Sequence, residues 1–250
     1  MYKLTILLLL LVAEIQAQKL SELPAKCGGY CINSKGLKDK MKNVNMEEKL
    51  KYEIKFFFLA NPPNDYQKMI EKNIQNLNQA FAPNFEFKTN MVGYNIQNQN
   101  TNIVDIYSEY YSTPEKVADL FKPSELHTIN IYLAPTRMDT STGQVLLGFT
   151  PIYSDWNEGY AEVTPKKDNI IVSFEGLEKG TTLIHEMGHF LSLEHPWQLN
   201  YEEKKLLKLE KESDICRNYM NYSCFTDQFT FEQKVQMMFF AKKYRFYLQR

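Results

Sequence analysis

Histidine is scarce in this chain, with four among 250 residues. Long apolar runs are missing as well. After Ala13 no stretch is apolar for the roughly 20 residues that crossing a bilayer takes, which excludes a body that spans the membrane through helices. Charge imbalance is also absent. The 29 Lys and Arg against 30 Asp and Glu leave a net charge of −1, so there is no reason to expect nucleic acid or an anionic surface as a partner. Cysteine is limited to Cys27, Cys31, Cys216 and Cys224. An even number in an exported chain suggests disulfides, and four cysteines allow three pairings. Cys216–Cys224 is favoured because the two flank one tight segment. The single glycosylation sequon, Asn221-Tyr222-Ser223, falls inside that segment and is expected to be buried and unused.

What the chain does have is concentrated. Three of the four histidines stand in Thr181–Trp197, TTLIHEMGHFLSLEHPW. His185 and His189 are four apart, one turn above each other on the same helix face. Glu186 sits about a quarter turn round the axis, near whatever the imidazoles hold without being a ligand itself. His195 follows His189 by six residues, too far for the same face, so the chain must leave the helix and turn back to offer a third nitrogen. Three neutral imidazoles with an open fourth position form the ligand set of a catalytic zinc, and a neighbouring carboxylate is the base for the attacking water. The bland alternative, a helix carrying a few satisfied histidines, needs a coincidence of spacing in a chain so poor in histidine.

The first 17 residues, MYKLTILLLLLVAEIQA, have a lone Lys3, an apolar run from Leu4 to Ala13 and a small residue at Ala17. They read as a secretory signal peptide, which implies a secreted, extracellular protein without a stable membrane anchor. Residues 18–48 are polar, lysine-rich and broken by Gly28-Gly29 and Gly36, as expected of a leader or propeptide. Residues 49–250 then suit one catalytic domain.

Along that domain the pattern alternates between strands and helices. Tyr52–Ala60 reads as a first buried strand, stopped by Asn61-Pro62-Pro63-Asn64. Asp65 is expected to cap a helix to about Phe81, with Tyr66, Ile70, Ile74, Leu77 and Phe81 on one stripe. Phe85–Lys88 with Met91–Ile96 reads as a second strand, and 95–102 as a loop. Thr113-Pro114-Glu115 should open a short helix. Ile129–Leu133, Val145–Phe149 and Asn169–Ser173 read as further strands before the histidine helix. Tyr201–Ser213 is expected to be one solvated amphipathic helix. Thr230 with Gln233 forms a capping box that opens a final helix through Val235, Met238 and Phe239. The sum is an α/β (α+β) domain, a twisted mixed sheet with backing helices, with a small mainly helical C-terminal lobe.

With these residues in view the chain resembles a metzincin, the metalloprotease clan named for a methionine turn beneath the zinc. The match is His185-Glu186-Met187-Gly188-His189, then His195, then Met220 in Asn218-Tyr219-Met220-Asn221-Tyr222. It is most similar to the pappalysin family, through Leu77–Phe81, Asn130-Ile131-Tyr132, Gly148-Phe149, and Cys224 followed by Phe229-Thr230 and Gln233. The resemblance implies that His185, His189 and His195 ligate zinc, that Glu186 is general base and acid, that Met220 is the floor under the metal, and that Tyr222 swings to the oxyanion. Two departures stand out. Ser192 occupies the place where the family has a glycine that eases a left-handed turn. The segment between His195 and Cys216 is short and filled by a charged stretch, and its residues do not identify the family's calcium site or extra disulfide.

The resulting expectation is a secreted zinc endopeptidase acting on protein or peptide substrates, the substrate extended along an edge strand within Asn169–Ser173. The rivals are an astacin-like or other metzincin, disfavoured because Pro196-Trp197-Gln198 lacks a Glu after the third histidine, and a zinc-holding binding protein without catalysis. Lys26-Cys27-Gly28 in the leader is similar to the segment with which some metzincin propeptides block their own zinc, making Cys27 a candidate switch; a Cys27–Cys31 disulfide competes with that reading. No sequence feature fixes an oligomeric state.

Overall fold

The computed structural model describes residues 38–39, 41–90, 94–95, 102–112, 127–138, 143, 145–150, 169–222 and 225–248. All of them belong to one compact unit, 33–250. The expected signal peptide, the leader around Cys27 and Cys31, the helix at Thr113-Pro114-Glu115, and Cys224 lie outside the described residues. Among the described residues no helix is long and apolar enough to cross a membrane.

Six strands form one mixed sheet: β1 (Leu50–Phe58), β2 (Phe85–Thr89), β3 (Tyr94–Asn95), β4 (Ile129–Ala134), β5 (Gly148–Phe149) and β6 (Asn169–Ser173). The order is β2-β1-β4-β6-β5, with β3 also on β1. The β1–β2, β1–β3, β1–β4 and β4–β6 pairs are parallel and β5 runs antiparallel to β6. Parallel strands covered on both faces read as near-continuous apolar runs, and β4 (INIYLA) and the Phe56–Phe58 end of β1 are such runs, while the first six residues of β1 alternate apolar and charged. Their side chains alternate between two cores. Tyr52, Ile54, Phe56, Ile131, Leu133 and Val172 face the larger one, while Phe57, Tyr132, Ala134 and Ile171 face the smaller.

The larger core is covered by α1 (Tyr66–Ala80), α3 (Phe174–Lys179), α4 (Thr182–Phe190) and α7 (Phe231–Tyr244); α2 (Ile103–Ser112) closes the smaller through Ile103 and Ile106. Ile70, Leu77 and Phe81 of the expected stripe are fully buried, each worth about 1.5–3 kcal/mol of transfer free energy. Tyr66 and Ile74 pack partly buried beside them. The stripe also carries Asn73, whose buried amide donates to the Leu177 carbonyl at 2.7 Å and so ties α1 to the segment that leads into the histidine helix. Asp65 makes no side-chain cap, contrary to expectation.

That lead-in is built from local signals. The Ser173 hydroxyl at the end of β6 accepts the Gly176 N–H at 2.9 Å and starts α3. Gly180, at φ 77, ends it. Thr182 then begins α4, whose residues Leu183–Phe190 are all buried. A helix buried all round needs partners on every side, and here Leu183, Ile184, Met187 and Phe190 take the core.

Three expectations need correction. Asn169–Ser173 is an interior strand between β4 and β5, so it is not an edge; among the described residues Gly148–Phe149 is the outer strand on that side. The strand expected at Val145–Phe149 is only Gly148–Phe149, with Val145 in an isolated bridge to Met138. Tyr201–Ser213 is not one helix. It breaks into α5 (Tyr201–Leu206) and α6 (Glu212–Arg217). Leu207 and Leu209 are both buried, two apart, which no continuous helix allows on one face, and Lys208 between them turns left-handed at φ 57. The Leu209 N–H reaches back to the Lys204 carbonyl at 2.8 Å to close the stop.

Candidate metal centre

His185 and His189 project from one face of α4. The helix then ends in a Schellman motif, with the Ser192 N–H on the His189 carbonyl at 2.8 Å and the Leu193 N–H on the Gly188 carbonyl at 2.9 Å. Ser192 is left-handed, at φ 73, the turn that the departure from glycine called into question. Gln236 of α7 donates to the Ser192 carbonyl at 2.8 Å and holds the turn from below. This reversal brings His195 back over the helix.

The three Nε2 atoms form an equilateral triangle, each 3.1 Å from the other two. Every Nδ1 faces an oxygen at 2.7 Å: the Tyr219 carbonyl for His185, the Leu193 carbonyl for His189 and Gln198 Oε1 for His195. Carbonyl oxygens only accept, so each Nδ1 must carry the proton. Each neutral ring then turns a bare lone pair inward. Three converging lone pairs repel, and no pair can hydrogen-bond unless a ring becomes an imidazolium. Burial opposes that. It pushes His185 down to about 4 against the pull of the Tyr219 carbonyl, and His189 well below its usual value with help from the other two rings. His195 falls to about 3, from burial and then from His185.

A cation is what such a triangle lacks. Nitrogens about 2.0–2.1 Å from one ion at tetrahedral angles stand about 3.3 Å apart, close to the observed side. Among the described residues these three histidines are the one group able to hold a metal. The protonated Nδ1 partners are the outer contacts that fix ring orientation around a metal.

Glu186, the residue after His185 in α4, is buried, and the Thr150 hydroxyl donates to its Oε2 at 2.9 Å. Burial raises its carboxyl to about 8, against the smaller opposing effect of Thr150. Gly148, on the outer strand, leaves the room this side chain occupies. Met220 is fully buried beneath α4, where Gly188 again supplies space: a Cβ there would stand 2.4 Å from the methionine Sδ. The Met220 N–H donates to Asn218 Oδ1 at 3.0 Å. Asn218 in turn exchanges side-chain hydrogen bonds with Gln233, at 2.6 and 3.2 Å. Gln233 also closes the expected capping box with Thr230, so the start of α7 and the turn under the triad are one network.

Tyr222 is 68 % exposed, its ring 4.8 Å from those of both His185 and His195. Trp197 stacks on His195 at 4.3 Å and 9°. The Tyr222 and Trp197 rings also touch each other, with centroids 4.9 Å apart. Asn221 of the sequon is half-buried, donating to the Ile215 carbonyl at 3.1 Å and accepting the Tyr222 N–H. Cys216 is disulfide-bonded, and its partner lies outside the described residues. Thr150, Gln198 and Trp197 were not singled out by the sequence as site residues. Only Gln198 left a trace there, a side-chain acceptor three residues after the last histidine.

No family model matches the chain, and no curated protein does. Among solved structures it is similar to metalloproteinase-II from Bacteroides fragilis, at 14% identity and a TM-score of 0.44, over 92% of this chain and 70% of that one. A likeness so distant carries no weight for chemistry, which rests on the atoms of the site.

Proposed function

We propose that the protein is a zinc-dependent endopeptidase. The observation that carries this is the triangle of three inward Nε2 lone pairs, 3.1 Å on a side, with a buried carboxyl next to it. His185, His189 and His195 would hold the ion. A zinc ion held there would supply polarisation of water and of the scissile carbonyl. Glu186 takes the proton from the attacking water and returns it to the leaving amine. Thr150 donates to Oε2 and keeps the carboxyl aimed. Met220 would be the apolar floor, and Tyr222, whose ring lies 4.8 Å from those of His185 and His195, would donate to the developing oxyanion.

Peptide substrates would lie extended along the outer side of Gly148–Phe149, adding a strand by main-chain hydrogen bonds. Secretion behind a signal peptide, membership of the metzincins near the pappalysins, a Cys216–Cys224 disulfide and a latency role for Cys27 complete the reading, each supported by the sequence features above. The test pairs composition with turnover. The purified protein should carry about one zinc per chain and lose peptidase activity to a chelator. Glu186→Gln should keep its zinc while turnover falls at least about a hundredfold. A folded, active preparation without transition metal would end this reading. An E186Q protein as active as the parent would leave zinc but remove the assigned base.

A further inference from the structure

Of the three oxygens that accept the Nδ1–H groups, two are backbone carbonyls, on Tyr219 and Leu193. No substitution can delete those. The third, Gln198 Oε1, belongs to a side chain. It serves the one histidine that stands outside the helix, on a loop, and is only half-buried. His195 therefore depends on Gln198 for an orientation that the other rings get from the fold.

The orientation of the Gln198 amide is fixed by a second bond. The His195 backbone N–H, which can only donate, meets the same Oε1 at 3.1 Å. That atom is therefore the oxygen, and the ring nitrogen opposite must be the donor. The Gln198 N–H closes the turn on the His195 carbonyl at 2.9 Å, so the residue grips His195 at backbone and ring together. Trp197 stacks on the same ring, but a flat stack leaves both rotation in plane and choice of tautomer free.

We infer that Gln198 is a positioning residue for the metal: it locks His195 in the Nδ1–H tautomer and holds its Nε2 on the triad. The inference rests on the proposed metal site. Removing an outer acceptor of this kind lowers metal affinity by about 10–100-fold. Gln198→Leu keeps the bulk and removes the acceptor. Gln198→Glu keeps an acceptor at the same reach.

The full mature chain is loaded with zinc and competed against a chromophoric chelator, and the melting temperature of each metal-free protein is measured alongside. Q198L should bind zinc about 10–100-fold more weakly while its metal-free melting temperature stays with the parent's, and Q198E should bind at least as tightly as the parent. Equal zinc affinity in parent and Q198L overturns the inference. So does a Q198E that loses affinity along with Q198L, which would mark a merely structural role. Should Q198L fail to fold, the cobalt-substituted parent decides by proton NMR. Three slowly exchanging Nδ1–H resonances support the lock on His195, and two overturn it. A parent that takes up neither metal ends the zinc reading itself, an outcome distinct from a parent that binds zinc and a Q198L that binds it equally well.

Discussion

Gly148 and Glu186 are in direct opposition. A Cβ on Gly148 would fall 2.6 Å from both Cγ and Oε1 of Glu186, closer than side-chain atoms can stand. The outer strand is thus shaped around the carboxyl, and the carboxyl is aimed by the strand. Gly148→Ala should displace Glu186 without touching the histidines. Turnover is expected to fall about 10–100-fold with zinc content unchanged, as for small misplacements of a reacting group. Steady-state kinetics with metal analysis of the same preparation check it, and parental turnover would refute it.

The buried imidazoles set a direction for acid. Their folded pKa values lie below the ordinary 6.5, at about 4 for His185 and about 3 for His195. The unfolded chain therefore binds more protons as pH falls below 6.5, and the stability these rings contribute is complete above 6.5 and lost as pH falls through about 4 for His185 and about 3 for His195. Glu186, raised to about 8, and Glu194, raised by burial and then by Glu203 to about 7, have the opposite sign above 4.5, but they are two groups against three. Metal-free protein should unfold at lower denaturant at pH 5 than at pH 7. Equal midpoints would contradict the burial argument.

Gln233 joins a helix cap to the turn under the triad. Gln233→Leu strands the buried Asn218 side chain, whose Oδ1 holds the Met220 N–H, and removes the Oε1 that accepts the Thr230 N–H, while the Thr230 hydroxyl still accepts the N–H of residue 233. A loss of about 2–4 kcal/mol is expected in denaturant unfolding, from the buried polar groups left unsatisfied. Zinc affinity should drop with it, since the Tyr219 carbonyl that orients His185 sits beside Asn218. A change below about 0.5 kcal/mol would show that the network is slack.

Ser192 holds a left-handed backbone that costs a residue with a Cβ about 1–2 kcal/mol. Ser192→Gly should be stabilising by up to about 1 kcal/mol once the greater freedom of the unfolded glycine is subtracted. Ser192→Val should be destabilising, because a branched side chain tolerates that conformation least. Thermal melts of the two variants, moving in opposite directions, check the pair.

Much of this architecture was legible because it follows short-range rules. Asn169–Ser173 is an apolar run with the observed bounds, the four-residue spacing puts His185 and His189 on one face, and Thr230 and Gln233 form the expected box. What escaped depended on sequence-distant partners or on missing punctuation. The stop at Lys208 carries no glycine, so a charged run with three leucines looked continuous. Asn169–Ser173 gave no sign that a two-residue strand would cover its edge. Thr150 is 36 residues from the carboxyl it serves, and no local pattern joins them.

The buried state of Glu186 also decides what loading the site with metal would do to the proton balance. At pH 7 the three imidazoles are already neutral, so they have no proton to surrender. The carboxyl, at about 8, is mostly protonated before loading, and a dication beside it favours its ionised form. Of the protons released on metal uptake at pH 7, the protein's share would then come from the prospective base and not from an imidazole, beside any given up by a water on the metal. Calorimetric heats should vary more with the ionisation enthalpy of the buffer in the parent than in E186Q. Arrival of the metal would itself convert Glu186 from an acid that cannot accept a proton into the base that can.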